Sequence, residues 1–185
     1  NGLLLPENFA MGSRVMFSGR AVIVPGPELA ADQLGIPQDM AWTLFGPQVA
    51  RELGVAAAVT ERTKAAADVL AQVMARSWVV LHRAPTVSPT SLIAFRPVLC
   101  PDKVIRLPLM ATRMLIADFD GDQSAVFLPL TKQAQQEAAQ KLSIAGHLRR
   151  DPNLVAELFP GMDAMFGLAC LSRSAKGLKS ITKAA

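Results

Sequence analysis

The sequence lacks any long apolar run. Its longest stretches, such as Trp78 to Leu81, are far too short to cross a bilayer. It opens on Asn1 rather than Met, without the basic start and apolar core of a signal peptide; a processed product or an excised fragment explains this better than an intact gene product. Cysteine is scarce. Cys100 and Cys170 have no C-x-x-C spacing and no paired histidine nearby. Two buried thiols in a reducing compartment are therefore expected, and neither a disulfide nor a zinc site is. His82 and His147 are the only histidines and lie far apart, without metal-ligand spacing. No G-x-S-x-G segment exists, which removes the usual nucleophile elbow of a hydrolase. Internal repeats and low-complexity tracts are also missing.

What is present points to a globular α+β chain. Just over half of the 185 residues are hydrophobic, enough for one substantial core or two small ones. The net charge of +4 is scattered, apart from a basic tail of Arg173, Lys176, Lys179 and Lys183, which reads as a solvated helix face. Ser13 to Val24 reads as strand material with a break at Ser18-Gly19. A short helix is expected near Asp39 to Phe45, interrupted by Gly46-Pro47, with a second one running to Leu53 and closed by Gly54. Thr60 to Arg76 is the clearest amphipathic helix: Ala66, Val69, Leu70, Val73 and Met74 share one face. Trp78–Leu81, Ser91–Leu99 (broken at Pro97) and Val104–Leu107 read as strands. Thr131 fits the N-cap of a helix through about Leu142, and Asp151–Phe159 and Asp163–Leu171 are further helical segments. The order is strand, helical insert, several strands, then helices, as in an α+β domain with a small barrel.

The chemistry concentrates in Asp118-Phe119-Asp120-Gly121-Asp122, where apolar, strand-like segments flank three carboxylates. Three anions this close repel one another, and a divalent cation relieves the conflict. Magnesium suits hard oxygen ligands best and can keep positions open for phosphate oxygens. In extended backbone, residues two apart point the same way, so all three carboxylates can converge if Gly121 lets the chain curl, with Phe119 turned into the core as an anchor. A calcium EF-hand loop also begins D-x-D-x-D. It fails here, because its sixth position is Gln123 instead of Gly and its twelfth is Pro129 instead of Glu.

Ala117 to Gln123 resembles the N-A-D-F-D-G-D-Q signature of the bacterial RNA polymerase beta-prime subunit and its archaeal and eukaryotic counterparts. Silencing-type RNA-dependent polymerases share the D-x-D-G-D core, but the supporting motifs narrow the choice. Ser18-Gly19-Arg20-Ala21-Val22-Ile23-Val24 is similar to S-G-R-S-V-I-V, Gly26-Pro27-Glu28-Leu29 to G-P-E-L, and Gly35-Ile36-Pro37 with Met40-Ala41 to G-L-P-x-x-M-A. Arg83-Ala84-Pro85-Thr86 matches the heart of N-R-A-P-T, and Phe95-Arg96-Pro97-Val98-Leu99 resembles F-E-P-V-L. All stand in family order over residues 12–175. The resemblance implies a double-psi beta barrel over residues 1–130, with a helical insert at about 38–76 and a C-terminal helical extension over 131–185. It implies that Asp118, Asp120 and Asp122 hold a catalytic Mg2+, which activates an RNA 3′ hydroxyl and bridges to the α-phosphate of an incoming NTP whose triphosphate brings a second magnesium. Arg83 would lie by the nucleotide sugar, and Arg14 and Arg20 match basic positions near nucleic acid. The implied partners are a beta-like subunit, other polymerase subunits, DNA template and RNA, in a bacterial or viral cytoplasm at the nucleoid and with no membrane.

Several positions depart from the family pattern. Ile116 stands where the family's Asn helps to recognise the ribose 2′ hydroxyl, so discrimination of ribose from deoxyribose is expected to weaken. His82 replaces the Asn before R-A-P-T, Val87-Ser88-Pro89 replaces L-H-R, and Pro108 and Phe127 each replace a His. These changes remove polar groups while leaving the three Asp intact. The alternative reading is therefore a divergent, non-catalytic barrel paralogue acting as a scaffold or nucleic-acid-binding module. No clamp, bridge helix or trigger loop is recognisable, so no polymerisation is expected from this chain alone.

Overall fold

The computed structural model describes residues 15–174. Six strands close into a barrel: β1 (Ser18–Pro25), β2 (Gln33–Pro37), β3 (Val79–His82), β4 (Leu92–Cys100), β5 (Ile105–Leu107) and β6 (Gln123–Phe127), in spatial order β1-β5-β2-β4-β3-β6. Two pairs are parallel, β1 with β5 and β2 with β4, and the remaining neighbours are antiparallel. This is the α+β, double-psi type of barrel that the motifs imply. Closure leaves no free sheet edge. The interior is filled by alternate strand residues such as Ile23, Leu34, Leu81, Phe95 and Val126, all at most 1% exposed.

Three helices, α1 (Gln38–Leu53), α2 (Ala56–Thr60) and α3 (Lys64–Arg76), lie between β2 and β3. Their buried faces, with Trp42, Phe45 and Val49 from α1 and Leu70 and Val73 from α3, join the same hydrophobic core as the barrel. Several local expectations need correction. Pro47 does not interrupt the first helix, which is continuous through Leu53. Pro47 and Thr43, the residue whose carbonyl loses its helical donor, both face solvent, so water can replace the lost bond while the opposite face stays packed. The helix expected from Thr60 begins instead at Lys64, because Thr63 caps it by accepting a hydrogen bond from the Ala66 amide at 3.3 Å. Before it the chain turns at Arg62, whose guanidinium pairs with Asp39 at 2.8 Å and lies over the Trp42 ring.

Val15 to Phe17, expected as strand, instead form a turn with Phe17 at φ 56°, so β1 begins at Ser18 and runs through the expected break at Ser18-Gly19; the break expected at Pro97 is absent too. Gly19 stays within β1 because α1 packs close above it: a Cβ there would meet the Met40 side chain at 2.8 Å. Pro97 sits inside β4 where it has no amide to lose. The Arg96 amide already points to β2, bonding Asp32 O at 2.7 Å, so the Pro97 nitrogen faces the other side, where β3 has ended at Val79 opposite Phe95.

Beyond the barrel, Thr131 caps α5 (Lys132–Glu137), which runs into a wider π-type turn over Ala138–Leu142. A helix that periodicity did not reveal, α6 (Ile144–Arg150), follows from its own Ser143 cap. A 3-10 segment over Pro152–Leu158 and α7 (Met162–Ser172) complete the described chain. Two polar anchors fix these helices to the barrel. The Gln135 amide exchanges hydrogen bonds with both backbone groups of Trp78, at 2.6 and 2.9 Å, and the buried His147 ring meets Leu92 O at 2.9 Å. No helix among the described residues is long and apolar enough to cross a membrane. Cys100 is buried as expected, but Cys170 is exposed on α7, against the expectation of two buried thiols.

Candidate metal centre

The segment before the acidic loop is not a strand. Ala111–Leu115 forms a single turn of helix, α4, anchored by the buried Met114 and Leu115. The turn ends at Ile116 in the left-handed conformation, φ 51° and ψ 43°, and the Ala117 amide closes it onto Thr112 O at 2.9 Å. Asn tolerates that conformation; a β-branched side chain does not. The Asn that the resemblance expects here would suit this backbone, and Ile116 occupies the position under strain, 58% exposed.

From Ala117 the chain runs through the acidic loop into β6. Phe119 packs against the core, as its place between two aspartates suggested. Gly121 adopts φ 120°, a conformation closed to other residues, and turns the chain back. The Ile23 amide bonds Asp122 O at 2.9 Å and so ties the end of the loop to β1. As a result Asp118, Asp120 and Asp122 each place a carboxylate oxygen within 4.8 Å of the others.

The electrostatics show the crowding. A hydrogen bond shared with Asp120, then burial, then the charges of Asp120 and Asp122 push the Asp118 carboxyl above the usual carboxylate range. Asp122 moves the other way because Arg83 grips it: Nε and Nη2 both donate to Oδ2, at 3.0 and 2.7 Å. Arg83 follows β3, its amide held by Ser91 O at 3.1 Å, next to the cis Ala84-Pro85 bond. This pairing spans 39 residues, and no local pattern in the sequence announces it. Beside Asp118 opens a cleft of about 450 Å³ lined by Thr112, Arg113, Ile116, Ala117 and Glu157. Its wall is the 3-10 segment, held to α4 by Arg113, which approaches Glu157 at 3.6 Å and donates to Phe159 O at 3.2 Å.

The other expected site residues lie less close. Arg20 is exposed on β1, opposite Ala125 of β6, and no contact joins it to the carboxylates. Arg14 and the tail lysines Lys176, Lys179 and Lys183 fall outside the described residues. Among the described residues the three aspartates are the one cluster of metal-ligating side chains. Three convergent hard oxygen donors on an exposed loop, crowded enough to raise a carboxyl pKa, fit a hexacoordinate divalent cation that keeps open positions.

A family model for "RNA polymerase Rpb1, domain 2" matches residues 12–64 and 53–144, which include the whole barrel and the acidic loop. The chain belongs to this family of RNA polymerase largest-subunit domains. Curated relatives agree. The DNA-directed RNA polymerase subunit beta' of Bifidobacterium longum (strain DJO10A) is 37% identical over 179 residues, covering 91% of this chain and 13% of that protein. The subunit beta' of Chloroherpeton thalassium is 38% identical over 179 residues, covering 91% and 12%. That of Acinetobacter baumannii (strain ATCC 17978) is 37% identical over the same length. The chain thus spans about an eighth of the length of the curated relatives it matches.

Proposed function

We propose that this chain is the catalytic, Mg2+-binding barrel of an RNA polymerase largest subunit, contributing to templated transfer of nucleotides from NTPs to an RNA 3′ end. The observation that carries the reading is the convergence of Asp118, Asp120 and Asp122 within 4.8 Å on the loop before β6, in a chain of this family. The barrel over residues 1–130 provides the site, and the helices over 131–185 extend it. The three aspartates hold the cation; when bound, it supplies charge stabilisation for an in-line displacement at phosphorus. Asp122 is oriented by Arg83, whose remaining donors are free to meet nucleotide oxygens. Phe119 and Gly121 keep the three side chains on one side of the loop. Arg20, with Arg14 before it, contributes positive charge toward nucleic acid. A beta-like subunit and the other polymerase subunits complete the centre, on a DNA template in the cytoplasm at the nucleoid.

The test has two parts. In manganese-soaked crystals, anomalous density is expected among the three carboxylates and is lost in Asp118→Asn. In the assembled polymerase, Asp120→Asn is expected to remove RNA synthesis while leaving assembly intact. Undiminished synthesis by that variant would sink the reading.

The second reading, a non-catalytic barrel that acts as a scaffold or nucleic-acid-binding module, is favoured by Ile116. It presents a hydrocarbon side chain to the cleft beside Asp118, where the family offers an amide. Absence of metal with nucleotide and partner present would select it.

A further inference from the structure

We infer that Arg83 is the built-in counterion of the metal-free centre, sharing Asp122 with the cation and holding its affinity down. The inference rests on the metal-binding reading above and assigns Arg83 a role that precedes any contact with nucleotide.

The geometry supports it. Both Nε and Nη2 of Arg83 converge on one oxygen, Oδ2 of Asp122, leaving Oδ1 to the cluster. The pair is partly buried, with the Arg83 side chain 19% and the Asp122 side chain 26% exposed, so solvent screens it less than a fully exposed pair. Asp118 and Asp120, by contrast, are exposed and have each other as neighbours. The arrangement solves a folding problem. Three carboxylates alone would push the loop apart whenever the cation leaves. With Arg83 in place one of the three carboxylates has a positive partner when the metal is absent, and the loop keeps its form. The same positive charge then opposes the cation. A unit charge one carboxylate away from a divalent ion, in a partly enclosed site, weakens binding by about tenfold or more. The linkage is reciprocal. Any anionic or hydroxyl-bearing ligand that draws the guanidinium off Asp122 tightens the metal by the factor that the metal returns to it.

The other charged groups near the loop do not duplicate this role: Arg113 is committed to Glu157 and Phe159 O, and no contact joins Arg20 to the carboxylates.

The test is a Mn2+ titration of the full chain, followed by the electron paramagnetic resonance signal of the free ion. Wild type, Arg83→Lys, Arg83→Gln and Asp118→Asn are compared. Arg83→Gln removes the charge and is expected to bind Mn2+ about tenfold tighter than wild type. Arg83→Lys keeps a charge but loses the paired donors, and about threefold tighter binding is expected. Asp118→Asn is expected to weaken binding. Without metal, Arg83→Gln should melt below wild type, and saturating Mn2+ should close most of that gap. Equal or weaker Mn2+ binding by Arg83→Gln, with clear binding by wild type, overturns the counterion role and leaves the metal reading standing. If Arg83→Gln does not fold, Arg83→Lys decides by the same criterion. No Mn2+ binding by any variant removes the metal reading and this inference together.

Discussion

Replacing Ile116 by Asn should make the protein more stable, although it exchanges a hydrophobic residue for a polar one. Ile116 ends α4 at φ 51°, where the Cβ of an L-residue crowds the following carbonyl oxygen. That conformation costs an ordinary residue roughly 1–2 kcal/mol, and β-branching worsens it, whereas Asn enters it with little penalty. The opposing effect is lost apolar contact. The side chain is already 58% exposed, and Asn keeps the atoms nearest the backbone, so the loss is about 0.5 kcal/mol. The left-handed penalty wins, and a net gain of about 1 kcal/mol is expected. In a domain of this size that raises Tm by about 2–4 °C. Urea denaturation followed by circular dichroism measures it, with Ile116→Val as the control, since valine keeps the branch and should gain nothing. An Asn variant that is equal to or less stable than wild type would refute the reasoning. It would mean that Ile116 contributes more through packing on the cleft wall than its backbone loses. The gain should be the same with and without manganese, because the strain lies in α4 and not in the carboxylates.

Two further predictions address the loop and the C-terminal helices. Gly121→Ala should cost about 1–3 kcal/mol, because φ 120° is open to glycine alone, and should abolish Mn2+ binding even where the barrel still folds; retention of wild-type binding would show that the turn does not set the convergence. His147 should make stability fall in mild acid. Leu92 O can only accept and Arg150 Nη2 can only donate, so the ring is neutral, with its proton on Nε2. Burial is the first cause of its lowered pKa, which the bond to Leu92 opposes and the Arg150 charge reinforces. A lowered folded pKa means that the contribution is complete above the ordinary value of 6.5 and is lost as pH falls through the folded value. Urea midpoints between pH 8 and pH 5 should therefore drop more for wild type than for His147→Gln. Parallel profiles would count against the assignment.

The candidate site was legible in the sequence to an unusual degree because its chemistry is local. Three carboxylates at alternate positions, a glycine between two of them and an aromatic anchor fit within Asp118–Asp122, and a loop of five residues has few ways to arrange them. The fold class was legible for a related reason: the order of strand, helical insert, strands and helices survives local errors. The errors have a common cause. Pro47, Gly19 and Pro97 are breakers by propensity, yet each sits where packing or solvent removes the penalty: an exposed helix face, a close approach under Met40, and a strand side from which β3 has already departed. Residues 111–117 read as strand-like because they are apolar apart from Thr112 and Arg113, but so short a run cannot distinguish a strand from one buried helical turn.

The sequence by itself thus determined the acidic cluster, the loop that carries it and the barrel family, since all of these are encoded within a few residues or in the order of short motifs. Tertiary structure alone decided what surrounds them. It set Arg83 against Asp122 across 39 residues, it brought the 3-10 segment and Glu157 up to the cleft beside Asp118, and it forced Ile116 into a left-handed backbone. The first depends on closure of the barrel, which pairs β3 with β6, and the others on how α4 ends and packs against the 3-10 segment. No period or motif records such a contact, because its energy comes from geometry that exists only once the chain has folded.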